Sequence, residues 1–453
     1  MKNSGKLLFI RGLKVLHFFA VLGMFAFTWG QYTAHNHISI PGRYDLFVYA
    51  LYAFLLYFFC RTYNAYLIEY SRITDIVFSL SLSETISVIM IYGITWIAWN
   101  KFHAPWYFLL LLAAQFAFNV IWAVAANKLY FKVNAPIRAL VVYRNRTDLS
   151  RLSDLRRFEK KYKVERYLEN PKTYEEIVEA LGDCKAVFLT GVDATVRNGI
   201  TKYCAEKDIM GFFLPHVGDI ILMGGHHVQA FSVPLMSIQR TNEHPEYLAV
   251  KRLFDIVISL LMIVLTSPLM LLTALTIRLQ DGGPAFYRQV RLTKGGKQFR
   301  ILKFRSMIQE AEKDGVARLS TGEQDERITR VGKVIRALRL DELPQLFNIL
   351  AGDMTFVGPR PERPEIAAQY EEIMPAFQLR LQVKAGLTGY AQIYGKYNTD
   401  PYDKLEMDLI YINKMNLLLD IQLMFATVRI LFKKESTDGV KQGSVTAVGQ
   451  NKD

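Results

Sequence analysis

Charged side chains are scarce in the first 130 residues, and this scarcity limits the possible fold more than any other feature. These residues contain nine Lys/Arg and four Asp/Glu, whereas the other 323 of the 453 residues hold 84 charged side chains. A segment so poor in charge does not make an ordinary water-exposed surface. The sequence therefore predicts a membrane-embedded N-terminal third, followed by a region composed like a soluble protein.

Four apolar stretches in this first third predict a four-helix transmembrane bundle over residues 1–130. They occupy residues 13–30, 44–60, 75–99 and 106–126. A spanning helix needs roughly 17–25 mostly apolar residues, so the second stretch is at the short limit. The third stretch carries Glu84, which is either a functional intramembrane carboxylate or an interhelical contact, and the contact is the favoured interpretation.

Basic residues predict how the bundle is oriented. Nine of them lie before the first stretch, between the second and third, or after the fourth, whereas the other two connections hold only Arg43 and Lys101. Cytoplasmic connections are enriched in Lys and Arg, so both ends of the bundle are predicted to face the cytoplasm.

Residues 131–248 alternate between short apolar runs and helical patterns. Strands are predicted at 139–143, 185–190 and 210–214, with helices at 173–181 and 193–206, which indicates a small Rossmann-like α/β domain. The turn after the first strand, residues 144–148, contains no glycine, so a pyrophosphate cannot approach the backbone there. We predict a structural or regulatory module. Cys60, Cys184 and Cys204 have no metal-site or disulfide-framework spacing.

A further apolar run, Phe254–Ile277, contains one charged residue, Asp255. It is long enough to span a membrane, but Ser267 and Pro268 lie in its middle and both flanks are basic. Proline removes a helix hydrogen bond, and the positive-inside rule places both flanks in the cytoplasm. We therefore predict a re-entrant helix over residues 253–279 with its break at Ser267-Pro268. The alternative is an ordinary fifth span.

Basic charge is concentrated just after this run. Residues 281–340 hold 14 Lys/Arg and seven Asp/Glu, a net charge of +7 out of +13 for the whole chain. A solvated face is the usual explanation of such a run. Next to a membrane segment, such a run also favours anionic lipid headgroups or a phosphorylated substrate as partners.

An adjacent carboxylate pair, Asp341 and Glu342, follows an amphipathic pattern over residues 328–340. That pattern predicts a helix with Ile328, Val331, Val334, Ile335 and Leu338 on its apolar stripe and Arg336 and Arg339 on its polar side. Pro344 is tolerated only in a first helical turn, so the carboxylates lie where a new helix begins. Beside arginines, such a pair suits a phosphoryl-accepting nucleophile or a Mg²⁺ site, although most isolated Asp-Glu pairs are solvated caps.

A proline-rich segment, residues 358–364, follows closely. Its three prolines stiffen the chain around Arg360 and Arg363. Arginines held in fixed positions suit phosphate recognition, whereas the alternative is a rigid surface loop.

These residues resemble the bacterial sugar transferases, the monotopic polyprenyl-phosphate phosphoglycosyl transferases. The matching segments stand in order over about 190 residues: 251–255 (KRLFD), Ser267-Pro268, 286–289 (FYRQ), 303–307 (KFRSM), 340–345 (LDELPQ), 356–361 (FVGPRP) and 384–389 (KAGLTG). The predicted four-helix bundle and α/β module resemble the long members of this family. The resemblance implies a mainly α monotopic catalytic domain with a re-entrant membrane helix over residues 249–453.

The resemblance also implies a chemistry. Asp341 would attack the β-phosphate of a UDP-sugar, release UMP, and pass the sugar-phosphate to undecaprenyl phosphate through a covalent phosphosugar–aspartyl intermediate. Glu342 would assist as a base or, with Asp341, as a Mg²⁺ ligand. The residues expected around the phosphates are Lys303, Arg305, Arg336, Arg360 and Arg363. Such an enzyme lies in the bacterial inner (cytoplasmic) membrane with its catalytic domain in the cytoplasm, and initiates exopolysaccharide, capsule or O-antigen assembly.

Two other functions remain as alternatives at this point. One is a catalytically inactive membrane scaffold or sensor of polysaccharide biosynthesis, and the intact Asp341-Glu342 pair argues against it. The other is a transporter, although no span shows paired ionisable residues or broken symmetry. The pattern predicts no nucleic-acid partner and allows a homodimer. Glucose or galactose is the expected sugar, by resemblance to long members alone.

Overall fold

The computed structural model describes residues 2–37, 42–100, 102–152, 158–230, 233–238, 245–309, 325–395 and 400–431. The chain forms two compact units, Met1–Leu214 and Pro215–Asp453. The first unit contains the N-terminal helices and a parallel sheet, and the second contains the carboxylate pair. The predicted division into three domains, with boundaries after residues 130 and 248, stays a prediction.

Four long helices open the first unit: α1 (Lys2–His35), α2 (Gly42–Thr62), α3 (Ile73–Trp99) and α4 (Trp106–Val133). α3 packs against both α2 and α4, and α1 packs against α4. The interior is rich in aromatic side chains such as Phe25, Trp29 and Tyr52, while large apolar side chains such as Ile97 remain exposed. Apolar surface on the outside of a bundle is what a lipid environment requires. The four predicted helices are confirmed.

A small α/β layer completes the first unit. Its elements are β1 (Ile137–Tyr143), α5 (Arg146–Arg151), β2 (Tyr162–Glu169), α6 (Tyr174–Leu181), β3 (Ala186–Thr190), α7 (Ala194–Glu206) and β4 (Met210–Phe213). The strands form one parallel sheet in the order β2-β1-β3-β4. The central strands β1 and β3 are buried, as their continuous apolar runs require. The predicted parallel α/β module is confirmed. In its first turn, Asn145 caps α5 by accepting a hydrogen bond from the Asp148 backbone.

The second unit is mainly helical. Its helices are α8 (Val217–Met223), α9 (Pro245–Asp281), α10 (Arg330–Ala337), α11 (Gln345–Ala351), α12 (Pro364–Ile373), α13 (Tyr390–Tyr394), α14 (Pro401–Lys414) and α15 (Leu417–Leu431). Three two-stranded sheets lie among them: β5 (His226–Ala230) with β6 (Val233–Ser237), β7 (Phe286–Leu292) with β8 (Gln298–Phe304), and β9 (Thr355–Val357) with β10 (Gly386–Thr388). One apolar core, which includes Leu346, Ile349, Val357, Phe377 and Leu409, joins most of these elements, and a second, smaller cluster packs Ile335 of α10 against α9.

The apolar run after residue 250 forms α9, a helix of 37 residues with Pro268 inside it. Pro268 has no N–H for the Val264 carbonyl one turn earlier, and the Ser267 hydroxyl donates to that carbonyl at 2.8 Å. The helix therefore continues through Ser267-Pro268, where we predicted a break. With α9, five helices of the described chain are long and apolar enough to cross a membrane.

Candidate active site

The carboxylate pair lies on a tight turn between two helices. α10 ends at Ala337, and a 3₁₀ turn over Leu340–Glu342 leads into α11. Arg339 enters this turn in the left-handed region, with a φ of 57°. Pro344 precedes the first residue of α11, where its missing N–H costs no helical hydrogen bond. The prediction that Asp341 and Glu342 lie at the start of a new helix is confirmed.

Glu342 is surrounded by positive charge. Its Oε1 is 3.3 Å from Lys303 Nζ and 3.4 Å from Arg360 Nη2, and its Oε2 is 4.0 Å from Arg339 Nη1. Burial alone would raise the pKa of Glu342, but the charges of Lys303, Arg360 and Arg339 outweigh burial and lower this pKa to about 2. Glu342 is therefore a fixed negative charge that holds three cations in place.

Asp341, its neighbour, lies in a different environment. Within the described part of the chain, its buried Oδ1 accepts no hydrogen bond. Burial and the negative charge of Glu342 raise the pKa of Asp341, while Lys303, Arg336 and Arg339 act in the opposite direction. A carboxylate oxygen with no hydrogen bond keeps its lone pairs for an incoming electrophile or cation.

Lys303 reaches the pair from β8, which is joined to α11 by one side chain. Asn348 Oδ1 accepts from the Leu302 backbone N–H at 2.9 Å, and Asn348 Nδ2 donates to the Arg300 carbonyl at 2.9 Å. The helix that begins just after Glu342 is thereby held against the strand that carries Lys303. Burial also lowers the pKa of Lys303, although Glu342 opposes that shift.

Arg360 reaches the pair from the proline-rich segment. A Cβ on Gly358 would lie 2.4 Å from the Lys384 carbonyl oxygen, so only glycine allows this close approach of the two chain segments. Arg380 Nη2 donates to the Arg360 carbonyl at 3.0 Å, and the same guanidinium pairs with Asp408 at 2.7 Å. A buried ion pair therefore supports the backbone of Arg360 from behind.

The start of α9 holds the chain segments on either side of the pair. Lys251 donates to the last carbonyl of β9, and Arg252 donates to two carbonyls at the C-terminal end of α11, at 2.7 and 2.9 Å. Asp255 accepts from a hydroxyl and a backbone N–H of β9, both at 3.1 Å. These contacts account for the KRLFD motif, because they join the apolar helix to the catalytic segments.

The other predicted phosphate-binding residues, Arg305, Arg336 and Arg363, lie in three different parts of the second unit. Arg305 is paired with Asp281 at the end of α9, and its buried Nη1 has no acceptor among the described residues. Arg336 lies in the last turn of α10, where its charge acts on Asp341. Arg363 precedes the first residue of α12. Lys303 and Arg360 are thus the predicted phosphate residues that contact the carboxylate pair directly.

Several site residues escaped prediction from the sequence. Arg339 was assigned only to the polar side of a helix, but it faces Glu342. Arg380 and Asp408 lie in segments with no recognisable pattern, and only the fold brings them to Arg360. Arg291, which donates to the Pro361 carbonyl at 3.1 Å, belongs to the basic run but carried no separate signal.

One carboxylate oxygen of this site fits a Mg²⁺ ion. Among the described residues, no group of three or more His, Cys, Asp or Glu side chains forms a ready metal site. Mg²⁺ commonly binds one or two carboxylates and completes its shell with water and substrate phosphates. The unpartnered Oδ1 of Asp341 fits that pattern, whereas both oxygens of Glu342 already face cations.

Comparison with known proteins finds relatives of the segment that contains this site. The family described as bacterial sugar transferase matches residues 246–434. The chain is 45% identical over 190 residues to the UDP-N-acetylgalactosamine-undecaprenyl-phosphate N-acetylgalactosaminephosphotransferase of Aeromonas hydrophila, covering 41% of this chain and 44% of that protein. UDP-glucose:undecaprenyl-phosphate glucose-1-phosphate transferases match at 37% over 226 residues in Escherichia coli K12 (49% and 47% covered) and at 39% over 191 residues in Caulobacter vibrioides (41% and 71% covered).

The matches cover only part of this chain and part of each relative. The matched region spans less than half of the Aeromonas and E. coli relatives, and 71% of the Caulobacter protein. The matched segment contains α9, the carboxylate pair and every cation described above. With five apolar helices, the protein is membrane-associated.

Proposed function

This chain belongs to the bacterial sugar transferase family, and we propose that it transfers a sugar-1-phosphate from a UDP-sugar to undecaprenyl phosphate, releasing UMP. Support comes from the relatives matched over the catalytic segment, whose names describe UDP-sugar and undecaprenyl-phosphate transferases. The lipid-linked sugar would be the first unit of an exopolysaccharide, capsule or O-antigen chain.

The observation that carries the proposal is the contrast within the carboxylate pair. Asp341 has a buried oxygen that no described residue contacts by a hydrogen bond, whereas Glu342 holds the cations. In the first step, Asp341 Oδ attacks the β-phosphorus of the UDP-sugar, and the bond to the bridging oxygen breaks with its electron pair leaving on UMP. In the second, an oxygen of undecaprenyl phosphate attacks the same phosphorus and Asp341 leaves as a carboxylate.

The surrounding cations have a clear role in both steps. Lys303, Arg336 and Arg360 would stabilise the charge that develops on the phosphoryl oxygens, and Glu342 holds Lys303 and Arg360 in position before substrate binds. Arg305 and Arg363 would extend the positive surface along the diphosphate. Glu342 keeps Lys303 and Arg360 from moving away, which makes it a positioning residue here rather than a general base.

We also propose that Asp341 would hold a Mg²⁺ ion, with Glu342 as the neighbouring carboxylate. A bound Mg²⁺ would neutralise charge on the diphosphate. The chain's own residues position Asp341, exclude water from it by burial, and supply the remaining positive charge.

The apolar helix α9 would bring the second substrate to the site. We propose that α9 enters and leaves the membrane on one side, with Ser267 and Pro268 at its deepest point, and that the catalytic unit lies at the cytoplasmic face of the bacterial inner membrane. Support comes from Pro268, which leaves the Val264 carbonyl without a backbone donor and so permits a bend inside the helix, and from the basic residues on both flanks. The polyprenyl phosphate would then reach the carboxylate pair at the level of the headgroups.

The decisive experiment compares the full-length protein with its Asp341→Asn variant, using UDP-sugars, undecaprenyl phosphate and Mg²⁺. We expect UMP release to fall by at least about 1,000-fold, because the amide is not a nucleophile. Retention of substantial UMP release by the variant would refute the nucleophile assignment. Absence of UMP release by the wild type across all nucleotide sugars would favour the inactive scaffold instead.

The sugar is the second unknown, and a panel of UDP-glucose, UDP-galactose and UDP-N-acetylgalactosamine addresses it. Glucose and N-acetylgalactosamine appear in the names of the matched relatives. UMP release with each donor, at equal concentrations, ranks them directly.

A further inference from the structure

Polar side chains meet in the middle of the apolar helical bundle, where the proposed transferase reaction has no use for them. α1 contributes His17, α2 contributes Tyr52, α3 contributes Glu84, and α4 contributes Gln115 and Asn119. Each is at most 2% exposed. Ionisable groups are expensive inside a membrane-embedded bundle, so a cluster built by all four helices marks a function.

Within this cluster, one chain of hydrogen bonds leads from Tyr66 through His17 and Asn119 to Glu84. Tyr66 OH is 3.0 Å from His17 Nδ1, His17 Nε2 is 2.9 Å from Asn119 Oδ1, and Asn119 Nδ2 donates to Glu84 Oε2 at 2.7 Å. One neutral imidazole satisfies both of its contacts, with Nδ1 accepting from the tyrosine and Nε2 donating to the amide oxygen. Every donor in the chain then points toward Glu84, and the chain ends at Oε2.

The other oxygen of Glu84 is left unsatisfied. Within the described residues, Glu84 Oε1 has no hydrogen-bond partner, and the same holds for Gln115 Oε1, one helical turn before Asn119. The salt bridges of the described chain include none to Glu84. Two buried acceptors on facing helices lack a donor, and a carboxylate buried with no counter-charge is strongly disfavoured.

We propose that the bundle contains a proton-binding site at Glu84, with the bound proton on Oε1. The proton removes the buried charge and satisfies Glu84 Oε1, which has no partner among the described residues. A proton also needs no cavity, so it can bind although Glu84 Oε1 is fully buried. The titratable groups around Glu84 are His17 on α1, Tyr52 and Cys60 on α2, and Tyr66 after α2, and none of them offers a fixed positive charge.

Infrared difference spectroscopy of the full-length protein in nanodiscs tests this directly. A protonated carboxylic acid has a C=O stretch well separated from carboxylate bands. We expect this band in the wild type at neutral pH, its loss in Glu84→Gln, and its retention in Glu69→Gln. Glu69 is the matched control, because its carboxylate pairs with Lys161 at 2.9 Å and is partly exposed.

A second variant tests the geometry rather than the residue alone. Asn119→Ala removes the donor to Oε2, so the C=O band should move to higher frequency without disappearing. Identical spectra for the wild type and Glu84→Gln would overturn the proposal. It would also be overturned if thermal stability of the wild type, but not of Glu84→Gln, increased with Na⁺ at fixed pH, because the site would then hold a metal cation.

Discussion

Lys303 Nζ lies 3.3 Å from Glu342 Oε1, although the two residues are 39 positions apart in the chain. The carboxylate of Glu342 holds the Lys303 ammonium in place, and burial lowers the pKa of that lysine. Without Glu342, Lys303 and Arg360 would repel each other at the place where a diphosphate is proposed to bind. The phosphates can replace the carboxylate as partners of these cations, so the site is arranged for anions before any substrate enters.

The first prediction concerns the stability that Glu342 provides. Because its pKa falls from an ordinary value of about 4.5 to about 2, Glu342 stabilises the fold above pH 4.5, and this contribution is lost as the pH falls toward 2. Glu342→Gln removes the carboxylate that Lys303, Arg360 and Arg339 share and should cost on the order of 2 kcal/mol of unfolding free energy at neutral pH. Thermal unfolding in detergent, measured from neutral pH downward, checks this.

The exposed Glu365 on α12 is the matched control for Glu342. Glu365→Gln should change the unfolding free energy by less than about 0.5 kcal/mol at any pH. If Glu342→Gln were as stable as wild type at neutral pH, the ion pairs would contribute nothing and the positioning role would fail.

The second prediction is a pH–rate profile set by Asp341. Its pKa is raised by burial and by Glu342, and the nucleophile must be ionised, so UMP release should increase with pH over a range above the ordinary Asp value of about 3.9. Lys303 lowers the pKa of Asp341. Lys303→Met should therefore move the acidic limb to higher pH, in addition to lowering the maximal rate.

The position of that limb, not the rate, is the informative quantity. The exposed Lys297 in the turn between β7 and β8 gives a control, because Lys297→Met should leave the limb where it is. A limb that stays fixed in Lys303→Met would show that a group other than Asp341 controls the acidic side.

The sequence predicted those parts of the fold that a local pattern specifies. Long apolar runs indicated α1 to α4, and short apolar runs indicated β1, β3 and β4. β2 was missed because Tyr162–Glu169 is an edge strand with mostly polar, exposed residues, so it has no apolar signature. The stripe predicted for α10 was partly wrong, since Val334 is 58% and Leu338 60% exposed while Ile335 is buried. Both lie close to the helix end, where the chain turns into the left-handed Arg339.

Some residues of the candidate site could likewise be found from a local pattern, and others could not. Asp341 and Glu342 could be found because proline, helix break and neighbouring arginines are all local. The partners of Glu342 come from β8 and the proline-rich segment, and their contacts depend on how α11 packs. The support of Arg360 by Arg380 and Asp408 is a purely tertiary relationship, which one sequence cannot show.

The third prediction addresses that support. Arg380 is 3% and Asp408 1% exposed, and the guanidinium also donates to the Arg360 carbonyl. Asp408→Asn removes the nearer of the two carboxylates that pair with the buried guanidinium, leaving Glu362 at 3.5 Å, and should cost about 3 kcal/mol of stability. UMP release should fall at saturating UDP-sugar, because Arg360 is no longer held in position. Arg380→Lys keeps the charge but loses the two-point contact. Its stability and its rate of UMP release should both be intermediate between those of Asp408→Asn and wild type.

The fourth prediction concerns the path of α9, and the chain is well suited to cysteine labelling because Cys60, Cys184 and Cys204 are all buried. Lys6→Cys, His37→Cys and Lys297→Cys place exposed thiols near the N-terminal end of α1, after α1 and after α9. If α9 turns back at Ser267-Pro268, a membrane-impermeant maleimide should label His37→Cys in intact spheroplasts, and should label Lys6→Cys and Lys297→Cys only after permeabilisation. Labelling of Lys297→Cys together with His37→Cys, but not Lys6→Cys, would make α9 a fifth span. The basic residues on both flanks of α9 oppose that result, since a span would carry one basic flank across the membrane.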